Sequence, residues 1–71
     1  MKNTILFAER LKELRLEAAK TQKDVAKDLN ISQSTVAKWE NKDQQPSLEM
    51  LVQLSYYFNV SPNYLLGVDD I

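Results

Sequence analysis

The 71-residue sequence predicts an all-α fold, a bundle of five helices, on three observations. Apolar residues recur at helical spacing along most of the chain. No segment alternates as a strand would, and helix start and stop signals punctuate the sequence from end to end. A chain of this length makes one domain, because folding buries only about 60% of the surface the unfolded chain exposes and leaves no second core to build.

The first helix is expected from about Thr4 to Ala18. Phe7, Leu11, Leu14 and Ala18 form its core stripe at i, i+4, i+7 and i+11, with Arg10, Lys12 and Glu13 off that stripe. Thr21 N-caps a second helix, and Asp24 three positions on reaches back in a near version of the capping box, where Glu is usual. Val25, Ala26 and Leu29 supply a narrow apolar stripe, while Lys23, Lys27 and Asp28 take the wet side. Asn30 stops this helix in the left-handed conformation a sharp turn requires, and Ile31 plugs the corner. Ser32 caps the third helix. Its first turn, Gln33, Ser34 and Thr35, scores poorly as helix interior but suits a helix end that faces something polar. Pro46 and Ser47 announce the fourth helix, with Ser47 as N-cap, Leu48, Leu51, Val52, Leu54 and Phe58 as its buried side and Asn59 as a left-handed stop. Ser61 then Pro62 repeats the start signal, Leu65 and Leu66 close the core, and Gly67 ends the fifth helix. The domain is thus expected to span residues 1–67, with 68–71 a frayed tail or the start of a linker.

The third helix carries the functional reading. At about 100° per residue, Val36 and Trp39 project together inward with Glu40 at their edge, whereas Gln33, Ser34, Ala37, Lys38 and Asn41 share the opposite arc. That outward arc is rich in hydrogen-bonding groups, carries no acid and keeps small residues that permit close approach to another surface. Gln pairs with adenine through N6 and N7, Ser serves several bases, and Lys donates to guanine or to a phosphate. Any one of these residues by itself reads better as a solvated surface group; the whole arrangement does not. Trp39 lies on the inner arc, which makes it a packing residue rather than a base-stacking one.

With these residues in hand, the chain resembles the helix-turn-helix domain of the phage repressor and Cro family, the lambda-repressor-like fold. The resemblance rests on four blocks in order: FAERLKELR (residues 7–15), TQKDVAKDLNISQSTVAKWE (21–40), PSLEMLVQLSYYFNV (46–60) and SPNYLLG (61–67). It implies that Gln33, Ser34 and Lys38 reach base edges. It also implies that Gln22 grips a phosphate and buttresses Gln33, and that Thr21, Ser32, Asn41 and Lys42 touch the DNA backbone. Arg15 and Glu40 match positions that form a structural ion pair tying helix one to helix three. Two subunits in this family commonly meet near the fourth and fifth helices, which makes Tyr56 and Tyr64 candidate dimer contacts. Ala19 and Lys20 depart from the usual Gly and apolar residue, so the first connection is expected to be more helical and more solvated than in relatives. Asp43 departs too: an acid beside the DNA backbone weakens binding unless it points away, which leaves Asn41 and Lys42 as the contacts taken from that loop.

Composition bounds the alternatives. With no Cys and no His there is no disulfide, no typical zinc site and no imidazole or thiol nucleophile. One Gly cannot make a phosphate-cradling loop, and the carboxylates are scattered rather than paired, so no catalytic role and no cofactor are expected. No apolar run approaches the about 18 residues of a membrane span, and the charged N-terminal stretch is no signal peptide, which points to the cytoplasm. The net charge of −1 weighs against a polyanionic partner, but it is unevenly spread. Residues 1–42 hold all nine Lys and Arg against six acids, whereas residues 43–71 hold four acids and no base. The leading expectation is therefore a sequence-specific double-stranded DNA-binding regulator, a repressor acting as a homodimer on a palindromic operator. The alternative is an antitoxin or partner-protein-binding regulator on the same fold, which the low net charge favours.

Overall fold

Every described helix boundary except the start of α1 is written by residues within about one turn of it. The computed structural model describes residues 5–68, and among them the helices are α1 (Phe7–Glu17), α2 (Gln22–Leu29), α3 (Gln33–Glu40), α4 (Leu48–Phe58) and α5 (Pro62–Leu66). At the head of α2 the capping box is complete: Thr21 Oγ1 accepts from the Asp24 N–H at 3.0 Å and the Asp24 carboxylate accepts from the Thr21 N–H at 2.9 Å. Ser32, Ser47 and Ser61 cap α3, α4 and α5 by accepting from the N–H groups of Thr35, Met50 and Tyr64. Among these helices α1 alone lacks a side-chain cap. It begins at Phe7 rather than near Thr4, which lies outside the described residues. Leu6 is non-helical, and its N–H is spent on the Leu66 carbonyl at 3.0 Å.

All five of these helices end alike, with a left-handed residue at Ala19, Asn30, Lys42, Asn59 or Gly67. In each case the next N–H returns to the carbonyl five residues back: Lys20 to Arg15, Ile31 to Ala26, Asp43 to Lys38, Val60 to Ser55 and Val68 to Asn63. The expectation of a more helical first connection is therefore corrected, since Ala19 at φ 58° stops α1 in a single step. Ala18, expected in the core, sits exposed on that turn. At Gly67, φ is 79° and an added Cβ would lie 2.8 Å from the Leu6 side chain, so both backbone and space demand glycine there.

The core gathers Phe7 and Leu11 from α1, Val25 and Ala26 from α2, Val36 and Trp39 from α3, Leu51 and Leu54 from α4, and Leu65 from α5. Leu14, Leu29, Ile31, Phe58 and Leu66 pack around it, half-buried. The Phe7 ring meets Trp39 edge to face at 6.1 Å. The α4 stripe needs correction: Leu48 is 81% exposed and Val52 44% exposed, while Ser55 is buried with its hydroxyl donating to the Val52 carbonyl at 2.7 Å. Leu48 sits in the first turn and Val52 one turn on along the same outer edge of the helix. The fifth helix closes the bundle against α1. Arg10 donates to the Tyr64 carbonyl at 2.7 Å and lays its guanidinium 4.1 Å from the Tyr64 ring. The Tyr57 hydroxyl donates to Asp28, which also receives Lys20 Nζ at 3.2 Å, joining α4 to α2.

Candidate nucleic-acid interface

Helix α3 is fixed by its inner face and offers its outer one. Val36 is fully buried and Trp39 almost so, which turns Gln33, Ser34, Lys38 and Asn41 to solvent together. Ala37 lies half-buried among them, a small residue that keeps the outer arc low. At the N-terminus, Ser32 Oγ stands 2.8 Å from Thr35 Oγ1 and 3.1 Å from Ser34 Oγ, a hydroxyl cluster on the first turn. Thr21 and Ser32, at the heads of α2 and α3, are exposed, and Gln22 is half-buried beside them.

The far end of α3 is anchored by charge. Arg15 clasps Glu40 with two bonds, Nε to Oε2 at 2.7 Å and Nη2 to Oε1 at 3.0 Å, and its Nη1 donates to the Lys20 carbonyl at 2.9 Å. The Glu40 bond raises the Arg15 pKa above its ordinary value against the opposing effect of burial. The resemblance to the repressor family put a structural ion pair at these two positions, and the geometry agrees. Gln22 departs from expectation: its Nε2 donates to Glu40 Oε1 at 3.1 Å, so the buttress it forms runs to the ion pair rather than to Gln33.

The loop after α3 gives Lys42 a partner that its linear reading did not. Lys42 takes the left-handed position of the α3 stop, and its ammonium meets Glu9 of α1 at 2.8 Å, both side chains well exposed. That bond holds the Glu9 carboxyl below its ordinary range. Glu9 is the residue sequence reasoning missed, because nothing in a linear chain links positions so far apart. Asp43, the awkward acid, is exposed, and its own N–H is tied back to the Lys38 carbonyl at 2.9 Å. Tyr56 is 81% exposed, whereas Tyr64 is half-covered by Arg10. Among the described residues no cluster of acidic side chains is arranged to hold a metal ion, and no helix is long and apolar enough to cross a membrane.

A polar, acid-free helix face raised on a small helical bundle, with a capped helix and a left-handed turn before it, is a motif that known proteins share. The family model described as helix-turn-helix matches residues 11–65. This chain belongs to the helix-turn-helix family. Over 65 residues it is 41% identical to the HTH-type transcriptional regulator ImmR of Bacillus subtilis (strain 168), covering 92% of this chain and 51% of that protein. A solved structure of the P22 c2 repressor in complex with synthetic operator 9T superposes with a TM-score of 0.83 at 32% identity, covering 93% of this chain and 100% of that one. A transcriptional regulator from Listeria innocua gives a TM-score of 0.85 at 33% identity, over 90% of this chain and 60% of the other. This helix-turn-helix chain therefore spans about half the length of ImmR. The five-helix, lambda-repressor-like architecture expected from the sequence is the one these structures share.

Proposed function

We propose that this helix-turn-helix chain is a sequence-specific double-stranded DNA-binding transcriptional regulator, a repressor that blocks promoter DNA by seating α3 in the major groove. One observation carries the reading: the exposed arc of α3 bears Gln33, Ser34 and Lys38 with no acid among them, on a domain that superposes along its length with a repressor solved on operator DNA. Gln33, Ser34 and Lys38 take the base edges. Gln22, Thr21, Ser32, Asn41 and Lys42 take phosphates, and the free N–H groups at the heads of α2 and α3 add their positive ends to the same backbone. Two copies bind half-sites about 34 Å apart, meeting through Tyr56 on α4 and Tyr64 on α5. The protein works in the cytoplasm, where its DNA is.

Selection of bound duplexes from a random pool tests the proposal directly, with a palindromic consensus as the expected result. Affinity for that consensus falls steeply with salt, because phosphates engaged by Lys release counterions. No enrichment of any sequence, together with salt-insensitive capture of a partner protein, would replace the repressor reading with the antitoxin-like one that the net charge of −1 favours.

A further inference from the structure

We infer that Glu40 is a positioning residue for DNA binding, fixing the Gln22 amide from inside the protein, in addition to pairing with Arg15. The inference rests on the DNA-binding reading above. The Glu40 side chain is 4% exposed and that of Arg15 10%, so water hardly competes for the carboxylate. The two bonds from Arg15 set the plane of the carboxylate, and its third donor grips the Lys20 carbonyl, one residue before the cap of α2. What remains of Glu40 Oε1 receives Gln22 Nε2. Both Glu40 oxygens already accept from Arg15, and Oε1 accepts from Gln22 as well, so the Gln22 amide turns its nitrogen to Glu40 and its oxygen away. Gln22 is half-buried at the first position of α2, where a phosphate is proposed to sit. Its amide therefore meets the duplex in one orientation, with one N–H and Oε1 left to use and its side-chain freedom already given up. Arg15 thereby links the α1–α2 turn, the end of α3 and the DNA-facing head of α2 in one connected set.

The test compares native protein with Gln22→Ala, Glu40→Asp and the double variant on the duplex selected from the random pool. Glu40→Asp keeps a negative charge beside Arg15 but withdraws it from Gln22, and Glu40→Gln serves if the first variant does not fold. Melting temperatures identify the folded variants. Glu40→Asp is expected to weaken binding about two- to tenfold, the range that ordering one such side chain commands. Gln22→Ala is expected to cost less in the Glu40→Asp background than in the native one. In the free native protein, NMR of the Gln22 side-chain amide is expected to give two well-separated proton shifts, collapsing towards those of an exposed Gln in Glu40→Asp. If Gln33→Ala weakens binding yet Gln22→Ala costs the same in both backgrounds, the positioning role is overturned and the DNA reading stands. If Gln33→Ala changes nothing either, the DNA reading falls and this inference with it.

Discussion

Helices α3 and α4 are built alike on the inside and differently on the outside. Each starts from a Ser whose hydroxyl takes the N–H three residues on, ends at a left-handed residue, and sinks two large apolar side chains: Val36 and Trp39 in α3, Leu51 and Leu54 in α4. Outward, α3 shows Gln33, Ser34 and Lys38, while α4 shows Leu48, Val52 and Tyr56 at intervals of four residues. The inner faces answer only to packing. A polar outer face stays solvated at little cost until another polar surface replaces the water, whereas an apolar one is worth most against another apolar surface. The outer faces are thus where two helices alike on the inside differ in chemistry.

If the inner faces are equivalent, truncating either should cost the most. Trp39→Ala is expected to lose about 3–5 kcal/mol and Leu54→Ala about 2–5 kcal/mol of stability in denaturant unfolding followed by circular dichroism. Trp39→Phe should be milder, since the indole N–H is buried without a hydrogen-bond partner among the described residues and its removal leaves no polar group stranded. The outer faces should separate next. Gln33→Ala is expected to leave the unfolding curve in place while costing about 1–3 kcal/mol on the selected duplex, with relaxed base preference, in fluorescence-anisotropy titrations. Lys42→Ala should weaken all sequences alike and by less than a free lysine would, because Glu9 already holds that ammonium.

The helix ends sharpen the comparison from another side, because identical turns are built on different residues. Gly67→Ala should lose about 1–2 kcal/mol or more, and Ala19→Gly should gain about 1 kcal/mol, as thermal midpoints. The seam joining α2 to α4 adds a pH effect. Asp28 lies below its ordinary value of 3.8, held first by the Tyr57 hydroxyl and then by Lys20. Its folded pKa being the lower, the stability it contributes is complete above about pH 4 and is lost as pH falls through the folded value. Asp28→Asn should therefore flatten the acid limb of a melting profile against pH. Smallest of all, Leu48→Ser should shift monomer stability by no more than about 0.5 kcal/mol, while lowering the cooperativity of binding to a two-half-site duplex if α4 meets a second copy.

Local features were legible in the sequence because their causes are local. Thr21 with Asp24, Ser32, Ser47, and Ser61 before Pro62 each declare a helix start within one turn, and Asn30, Asn59 and Gly67 each declare a stop. The outward arc of α3 followed from periodicity in the same way. What the linear chain hid depends on partners in space. The first helix displays an apolar stripe ending at Ala18, yet Ala18 sits exposed at the turn that the left-handed Ala19 makes, while Arg15 is buried, held by Glu40 and the Lys20 carbonyl. In α4 apolar residues lie on nearly every side, so periodicity alone could not tell which of Leu48, Leu51, Val52 and Leu54 would meet neighbours. At the candidate site the residue types were readable but their partners were not: Gln22 turns to Glu40, and Lys42 turns to Glu9, across gaps no spacing rule spans.

The self-contained helix ends bear on how quickly the molecule assembles. With start and stop encoded beside each segment from α2 to α5, these helices can flicker into being independently, on the sub-microsecond to microsecond scale of helix–coil exchange, before any of them docks. Among the described residues, the seam of Leu6 with Leu66 and Arg10 with Tyr64 must wait for α1 and α5, far apart along the chain, to find each other. A chain so arranged should reach its native state within milliseconds, with that seam closing last and opening first.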